Sequence, residues 1–268
     1  MGKAFYIDTT RDALLRQKGA RVESKYAVSV VIPAYNEKSR IKRAVLVTQS
    51  ILANAKLVGE IVIAEDGSND GTQETALEIA GADSHIHLIS SSERLGRGRA
   101  LNRAIKACLG DVVCYIDADL ATDMTYLPKI INAVANEGYD IAIGSRLMAE
   151  SRAKRNSGRL LASLVYNRMV QIVLGSMVHD HQCGFKAFRR DKIACLLDEV
   201  KDNHWFWDTE VLVRGQRLGY RIKEIPVEWN ESESTKVNVV KDANDMGRQI
   251  FRLWWDLKGT GAKSTEAK

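Results

Sequence analysis

Two aspartates, Asp117 and Asp119, flank one alanine directly after the apolar run Asp111-Val-Val-Cys-Tyr-Ile116. Alternate carboxylates at a strand tip can bring two hard oxygen donors to one cation. Mg²⁺ and Mn²⁺ take such oxygens and commonly share phosphate oxygens with them. Alone, a D-x-D is more often a solvated turn or a helix cap; after an apolar strand the metal reading is favoured. A second polar stretch, Asp66-Gly-Ser-Asn-Asp-Gly71, follows the run Glu60-Ile-Val-Ile-Ala64. It suits a turn into a helix, and equally a nucleotide held by a carboxylate and backbone donors. Gly96-Arg97-Gly98 is a weaker phosphate signal, for which a basic loop is the commoner explanation. Gly144-Ser-Arg146 ends a further apolar run.

These residues need a scaffold that collects strand ends. Short runs, apolar on both faces, occupy 28–33, 60–64, 86–89, 111–116 and 140–143. Helical patterns lie between them near 38–54, 71–80, 98–109 and 125–137. Such alternation predicts a mostly parallel sheet flanked by helices. Ligands of such sheets sit beyond the carboxyl ends of the strands, so the polar tips should meet on one edge. Carboxylates crowded there repel unless a cation joins them.

After residue 146 the chain turns basic up to Arg159. A helix with a narrow polar stripe (Ser163, Asn167, Gln171) spans 160–174. A strand-helix passage over 183–199, a helix over 206–218 and a strand over 221–228 follow. A last helix over 241–258 places Met246, Ile250, Leu253, Trp254 and Leu257 on one side. Four segments are expected: an arm or helix over 1–25, the main α/β domain over 26–240, the amphipathic helix over 241–258 and a disordered tail over 259–268.

Composition narrows the classes. Of 268 residues, 45% are apolar and 27% charged, which suits a globular core and excludes wholesale disorder. Four cysteines without C-x-x-C spacing exclude a disulfide framework and a zinc ribbon. A net charge of +5 is mild. Basic residues are not interleaved with aromatics, which argues against nucleic acid. No signal-peptide pattern or apolar run long enough for a span is present. The reading is a reduced, cytoplasmic compartment, with the chain peripheral at the cytoplasmic face of a membrane.

Val28-Ser-Val-Val-Ile-Pro-Ala-Tyr-Asn-Glu37, Glu65-Asp-Gly-Ser-Asn-Asp-Gly-Thr72 and Asp117-Ala-Asp-Leu-Ala-Thr122 together resemble the inverting family 2 glycosyltransferases of GT-A fold. Gly144-Ser-Arg146, Asp180-His-Gln-Cys-Gly-Phe-Lys186, Trp207-Asp-Thr-Glu210 and Glu224-Ile-Pro-Val-Glu-Trp229 resemble a narrower branch, the polyprenyl- and dolichyl-phosphate sugar synthases. The finer pattern leans toward the dolichyl-phosphate glucosyltransferases. Ala121 stands where mannose synthases of this group carry a ligand glutamine. His181 departs from their D-T-Q.

The resemblance implies a nucleotide-sugar donor, UDP-glucose favoured over GDP-mannose, and a polyprenyl or dolichyl phosphate acceptor. It implies Mg²⁺ or Mn²⁺ on Asp117 and Asp119, with water, the donor diphosphate or Asp123 completing the set. Pro33, Tyr35, Glu37, Asp66, Gly96, Arg97 and Ala118 would surround the donor. Tyr35 would pack on the base, while Glu37 would accept a hydrogen bond or cap its helix. Arg146, Arg159, Gln182, Lys186 and Lys236 would face the acceptor phosphate. Asp208 and Glu210 would orient sugar or acceptor, or form a helix N-terminal pair.

His179 and His181 read as loop histidines rather than ligands, and Cys183 as a packing residue. Arg152, Lys154 and Arg155 suit anionic headgroups. The helices at 160–174 and 241–258 suit an interface, sheet packing or a homo-oligomer contact. A soluble acceptor, and donor binding without turnover, remain as rivals.

Overall fold

The computed structural model describes residues 25–154, 157–230 and 239–263. The expected leading arm lies almost wholly outside them. Five strands and four helices alternate as the apolar pattern requires. They are β1 (Val28–Ala34), α1 (Lys38–Asn54), β2 (Gly59–Glu65), α2 (Thr72–Ala82), β3 (Ile86–Ile89), α3 (Arg97–Ala107), β4 (Val112–Ile116), α4 (Leu127–Ala135) and β5 (Ile141–Ser145). Then come β6 (Arg152–Lys154), α5 (Ser157–Leu174), β7 (Phe185–Arg189), α6 (Arg190–Leu197), α7 (Trp207–Arg217), β8 (Ile222–Pro226), β9 (Glu228–Asn230) and α8 (Val239–Lys263). The last helix therefore continues into the stretch read as a tail.

Seven strands form one sheet in the order β3-β2-β1-β4-β7-β5-β8. All neighbours are parallel except at β7, which runs antiparallel to both β4 and β5. The central strands are buried on both faces, which is why they read as unbroken apolar runs. One face packs against α1, α2 and α4 through Ile41, Ala76 and Ile130. The other packs against α3, α6 and α7 through Leu101, Ile193 and Trp207.

The strand expected over 221–228 is in fact two. Pro226 ends β8 with no N–H for a ladder, and the chain crosses to a small parallel ribbon of β9 with β6. A third cluster joins α5 to α7 and α8 through Tyr166, Val170, Val213, Ile250 and Leu253. Packing is thus the role of one stripe of α5. The opposite stripe, with Leu161, Val165 and Ile172, is more than half exposed.

Candidate active site

The reversed strand builds the wall beside Asp117. Phe185, at the start of β7, pairs with Ile116, at the end of β4, so Cys183 and Gly184 lie beside Asp117. The Asp117 amide donates to the Gly184 carbonyl at 3.1 Å. A Cβ on Gly184 would stand 1.9 Å from Asp117 Oδ2, so no side chain fits there. Asp117 remains 45% exposed, open to a ligand. Asp119 Oδ1 accepts the Ala121 amide at 3.1 Å, and Leu120 takes a positive φ of 54°. The next residues are stitched to β9: Asn230 donates to the Ala121 carbonyl and Asp123 to the Glu228 carbonyl.

Two nearby carboxylates with oxygen donors suit a hard divalent cation. Burial first, then the charge of Asp117, pushes the Asp119 carboxyl above its ordinary range. A shared cation would relieve that repulsion. Among the described residues no cluster of three or more His, Cys, Asp or Glu side chains is arranged to hold a metal. Asp123 Oδ1 caps the following 3-10 turn through the Thr125 amide.

An ion chain runs inward from Asp117. Arg97 Nη2 donates to Asp117 Oδ1 and Nη1 to Asp208 Oδ2, each at 2.7 Å. Lys186 Nζ donates to Asp208 Oδ1 at 2.8 Å, and to the Tyr115 hydroxyl and the Cys183 carbonyl. The expectation that Lys186 meets the acceptor is therefore corrected. Its strand turns it into the core, where it is fully buried. Burial pulls its ammonium pKa down, chiefly by desolvation. Cys183 is also wholly buried, and burial pushes its thiol up to about 11, which removes it as a nucleophile.

Glu210 is the second correction. Two residues along a helix turn a side chain to nearly the opposite face. Asp208 thus faces Arg97, whereas Glu210 faces α8. Its carboxylate binds Arg214 at 2.8 Å and Arg252 at 2.6 Å, and the Asp202 amide at 3.1 Å. It clamps α7 to α8 and takes no part in the site.

Beyond the end of β2, Asp66 is buried and holds the loop before α3. Its two oxygens accept the Leu95 amide at 3.1 Å and the Gly96 amide at 2.8 Å. Gly96 adopts a φ of +107°, which favours glycine, and its Cβ would strike the Asn203 carbonyl. Pro33 lies near the end of β1, and Tyr35 beyond it carries the Arg94 guanidinium 4.1 Å from its ring centroid. Arg94 escaped the sequence reading, because an exposed loop arginine carries no pattern. Glu37 occupies the cap position of α1 but makes no side-chain cap; it pairs with Arg40 at 3.2 Å. Ala118 is buried between the two aspartates.

Beyond the end of β5, Arg146 and the fully buried Asp180 form a fork. Nε and Nη2 of Arg146 donate to the two carboxylate oxygens at 2.7 and 2.8 Å, and the Arg146 amide adds a third bond. The guanidinium holds Asp180 far below the usual carboxylate range against burial. Its Nη1 has no hydrogen-bond partner among the described residues, and the Trp229 ring lies 5.6 Å from its Cζ. The Gln182 side chain points to Met246 of α8, with Nε2 3.6 Å from the sulfur. Arg159 is exposed on the first turn of α5. Lys236 and Arg155 lie outside the described residues.

His181 is fully buried, and His179 is exposed and bonded to Glu224. His181 Nδ1 meets Asn167 Oδ1 at 2.7 Å, so it donates there, and Nε2 accepts from Ser176 Oγ at 2.8 Å. The ring is the neutral Nδ1–H tautomer. Burial pushes its pKa down to about 3. The unfolded chain takes up a proton below about pH 6.5 while the folded chain does not, so stability falls as pH drops from there toward 3. From pH 7 to 5 this group removes about 2 kcal/mol. Urea unfolding of wild type and His181→Gln at both pH values checks this. Equal pH slopes in the two would refute it.

Known proteins place this geometry. Residues 29–197 match the family model described as glycosyl transferase family 2. Glycosyltransferase AglD of Haloferax volcanii is 46% identical over 244 residues, covering 90% of this chain. The matched region is only 39% of that protein, so the chain spans about two fifths of it. The dolichyl-phosphate beta-glucosyltransferase of Saccharomyces cerevisiae is 30% identical, over 83% of this chain and 72% of its own. In fold, glucosyl-3-phosphoglycerate synthase of Mycobacterium tuberculosis, in a crystal with Mn²⁺ and UDP, superposes with a TM-score of 0.63. The two share 23% identity, and the match covers 85% of this chain and 78% of that one. A mostly parallel GT-A sheet, the paired aspartates at its edge and these matches together make the chain a member of glycosyltransferase family 2.

Proposed function

We propose that this domain moves a hexose from a nucleotide-sugar, UDP-glucose first, to a polyprenyl or dolichyl phosphate at the cytoplasmic face of a membrane. The observation that carries the reading is the shared edge: Asp117 and Asp119 at the end of β4, with Arg146 at the end of β5, separated only by β7. One place can thus hold a donor diphosphate and an acceptor phosphate. The names of the yeast and other dolichyl-phosphate glucosyltransferase relatives support the acceptor class. The Mn²⁺ and UDP of the structural neighbour support the donor class.

Asp117 and Asp119 would hold Mg²⁺ or Mn²⁺. When bound, that ion supplies Lewis-acid stabilisation of the departing nucleoside diphosphate. Arg146 would offer Nη1 to the acceptor phosphate while Asp180 fixes the guanidinium plane. A phosphomonoester is largely dianionic at neutral pH, its second pKa being about 6. The nucleophile therefore arrives charged, and no side chain needs to remove a proton from it.

The exposed stripe of α5 supports a membrane location. No described helix is long and apolar enough to cross a bilayer. Yet Leu161, Val165 and Ile172 on α5, and Phe251 and Trp255 on α8, are more than half exposed. Helix α5 contains no acidic residue and carries Arg159 and Arg168. An apolar stripe with cationic neighbours suits an anionic lipid surface.

One experiment tests both parts. The chain is mixed with Mg²⁺, labelled nucleotide-sugars and anionic vesicles containing polyprenyl phosphate, and the vesicles are sedimented. The expected result is protein in the pellet and label in a charged, lipid-extractable product from one donor. Label released as free sugar, or no transfer from any donor, would overturn the lipid-acceptor reading. Protein left in the supernatant would overturn the membrane location.

A further inference from the structure

The guanidinium of Arg97 has two unequal anchors. Asp208 is buried and fixed, because Lys186 holds its other oxygen from below. Asp117 is nearly half exposed and is one of the two carboxylates suited to the cation. The arginine itself is poorly free to leave. It opens α3 between Gly96 and Gly98, where a Cβ would strike Asn203 on one side and Trp207 on the other. Its guanidinium also lies over the rings of Tyr115, at 5.2 Å, and Trp205, at 5.4 Å. The backbone is locked, and of the arginine's two carboxylate partners only Asp117 is open to solvent.

A positive charge fixed 2.7 Å from a metal ligand opposes a second cation at that ligand. It also withdraws one carboxylate charge from the pair that would attract the metal. A nucleoside diphosphate reverses this balance. It brings several negative charges, which a guanidinium and a divalent ion can share between them.

We propose that Arg97 makes metal binding at Asp117 and Asp119 conditional on a nucleoside diphosphate. The inference rests on the metal and donor assignment above. Without diphosphate the arginine holds Asp117, and the ion binds weakly. With diphosphate the guanidinium turns its outer N–H groups to phosphate oxygens, and Asp117 becomes available to the ion. Donor and metal therefore arrive together, and product diphosphate and metal leave together. No bond to carbon or phosphorus is made or broken in this exchange.

The test reads metal binding directly, through loss of the free Mn²⁺ electron paramagnetic resonance signal. Wild type, Arg97→Gln and Asp208→Asn, each checked for folding by circular dichroism, are titrated with Mn²⁺ with and without UDP. Wild type is expected to bind Mn²⁺ at least about tenfold more tightly with UDP than alone. Arg97→Gln is expected to bind Mn²⁺ alone about ten- to a hundredfold more tightly than wild type, with a smaller gain from UDP. Asp208→Asn leaves Asp117 as the arginine's one carboxylate, so its affinity for Mn²⁺ alone should fall. Unchanged or weaker binding in Arg97→Gln, with wild type still coupled to UDP, would overturn the inference and spare the site assignment. If Arg97→Gln does not fold, an unchanged or higher affinity in Asp208→Asn overturns it alone. No Mn²⁺ binding by wild type even with UDP would overturn the site assignment itself.

Discussion

Asp119→Asn should lower sugar transfer by about 10³-fold or more, because it would remove one of the two carboxylates proposed to hold the ion that stabilises the leaving group. Its unfolding midpoint should stay the same or rise. The asparagine keeps an oxygen for the Ala121 amide and loses the repulsion that holds the Asp119 carboxyl high. Initial rates in chelator-treated protein, before and after Mg²⁺ is restored, decide the matter alongside a thermal melt. A wild-type rate in the variant would remove Asp119 from the metal site. A cooperative melt at the wild-type temperature with no turnover is the expected outcome.

Arg146→Ala should do two things at once. It leaves Asp180, which has no exposed surface, as an unpaired buried charge. Breaking such a pair from one side costs about 3–5 kcal/mol. It also removes the Nη1 donors proposed for the acceptor phosphate. The two effects separate in the double variant Arg146→Ala/Asp180→Asn. The neutral amide should recover much of the stability, whereas the acceptor KM should stay raised by at least about tenfold with little change in donor KM. If the double variant regained the wild-type acceptor KM, Arg146 would be a structural residue and nothing more.

The contrast between Asp119 at a strand tip and the Arg146–Asp180 fork shows what a sequence conveys. Apolar runs with polar tips made the parallel sheet readable, because a strand buried on both faces must be apolar throughout. The D-x-D was readable for the same reason, as the polar end of such a run. The direction of β7 was not readable. Its alternation is identical in either direction, so nothing marked Cys183 and Gly184 as neighbours of Asp117. Lys186 misled because a lysine in a motif looks like a surface cation, and only the facing Asp208, Tyr115 and Cys183 carbonyl make its burial tolerable. Glu210 misled because its nearness to Asp208 in sequence hid the rotation between them. The Arg146–Asp180 fork joins residues 34 apart, and no local pattern announces it.

The reversed strand also sets an order of assembly. In sequence β5 follows β4, yet in the sheet they never touch, because β7 stands between them. The first four strands can pair as soon as they are made. The remaining strands cannot join them until residues 185–189 have emerged and bridged the gap. Closure therefore depends on contacts distant along the chain, which form late and slowly. The same event brings Gly184 to Asp117 and the Asp180 loop to Arg146. A nascent chain consequently has neither neighbour in place until β7 has joined the sheet, whereas β8, which pairs only with β5, can be added afterwards.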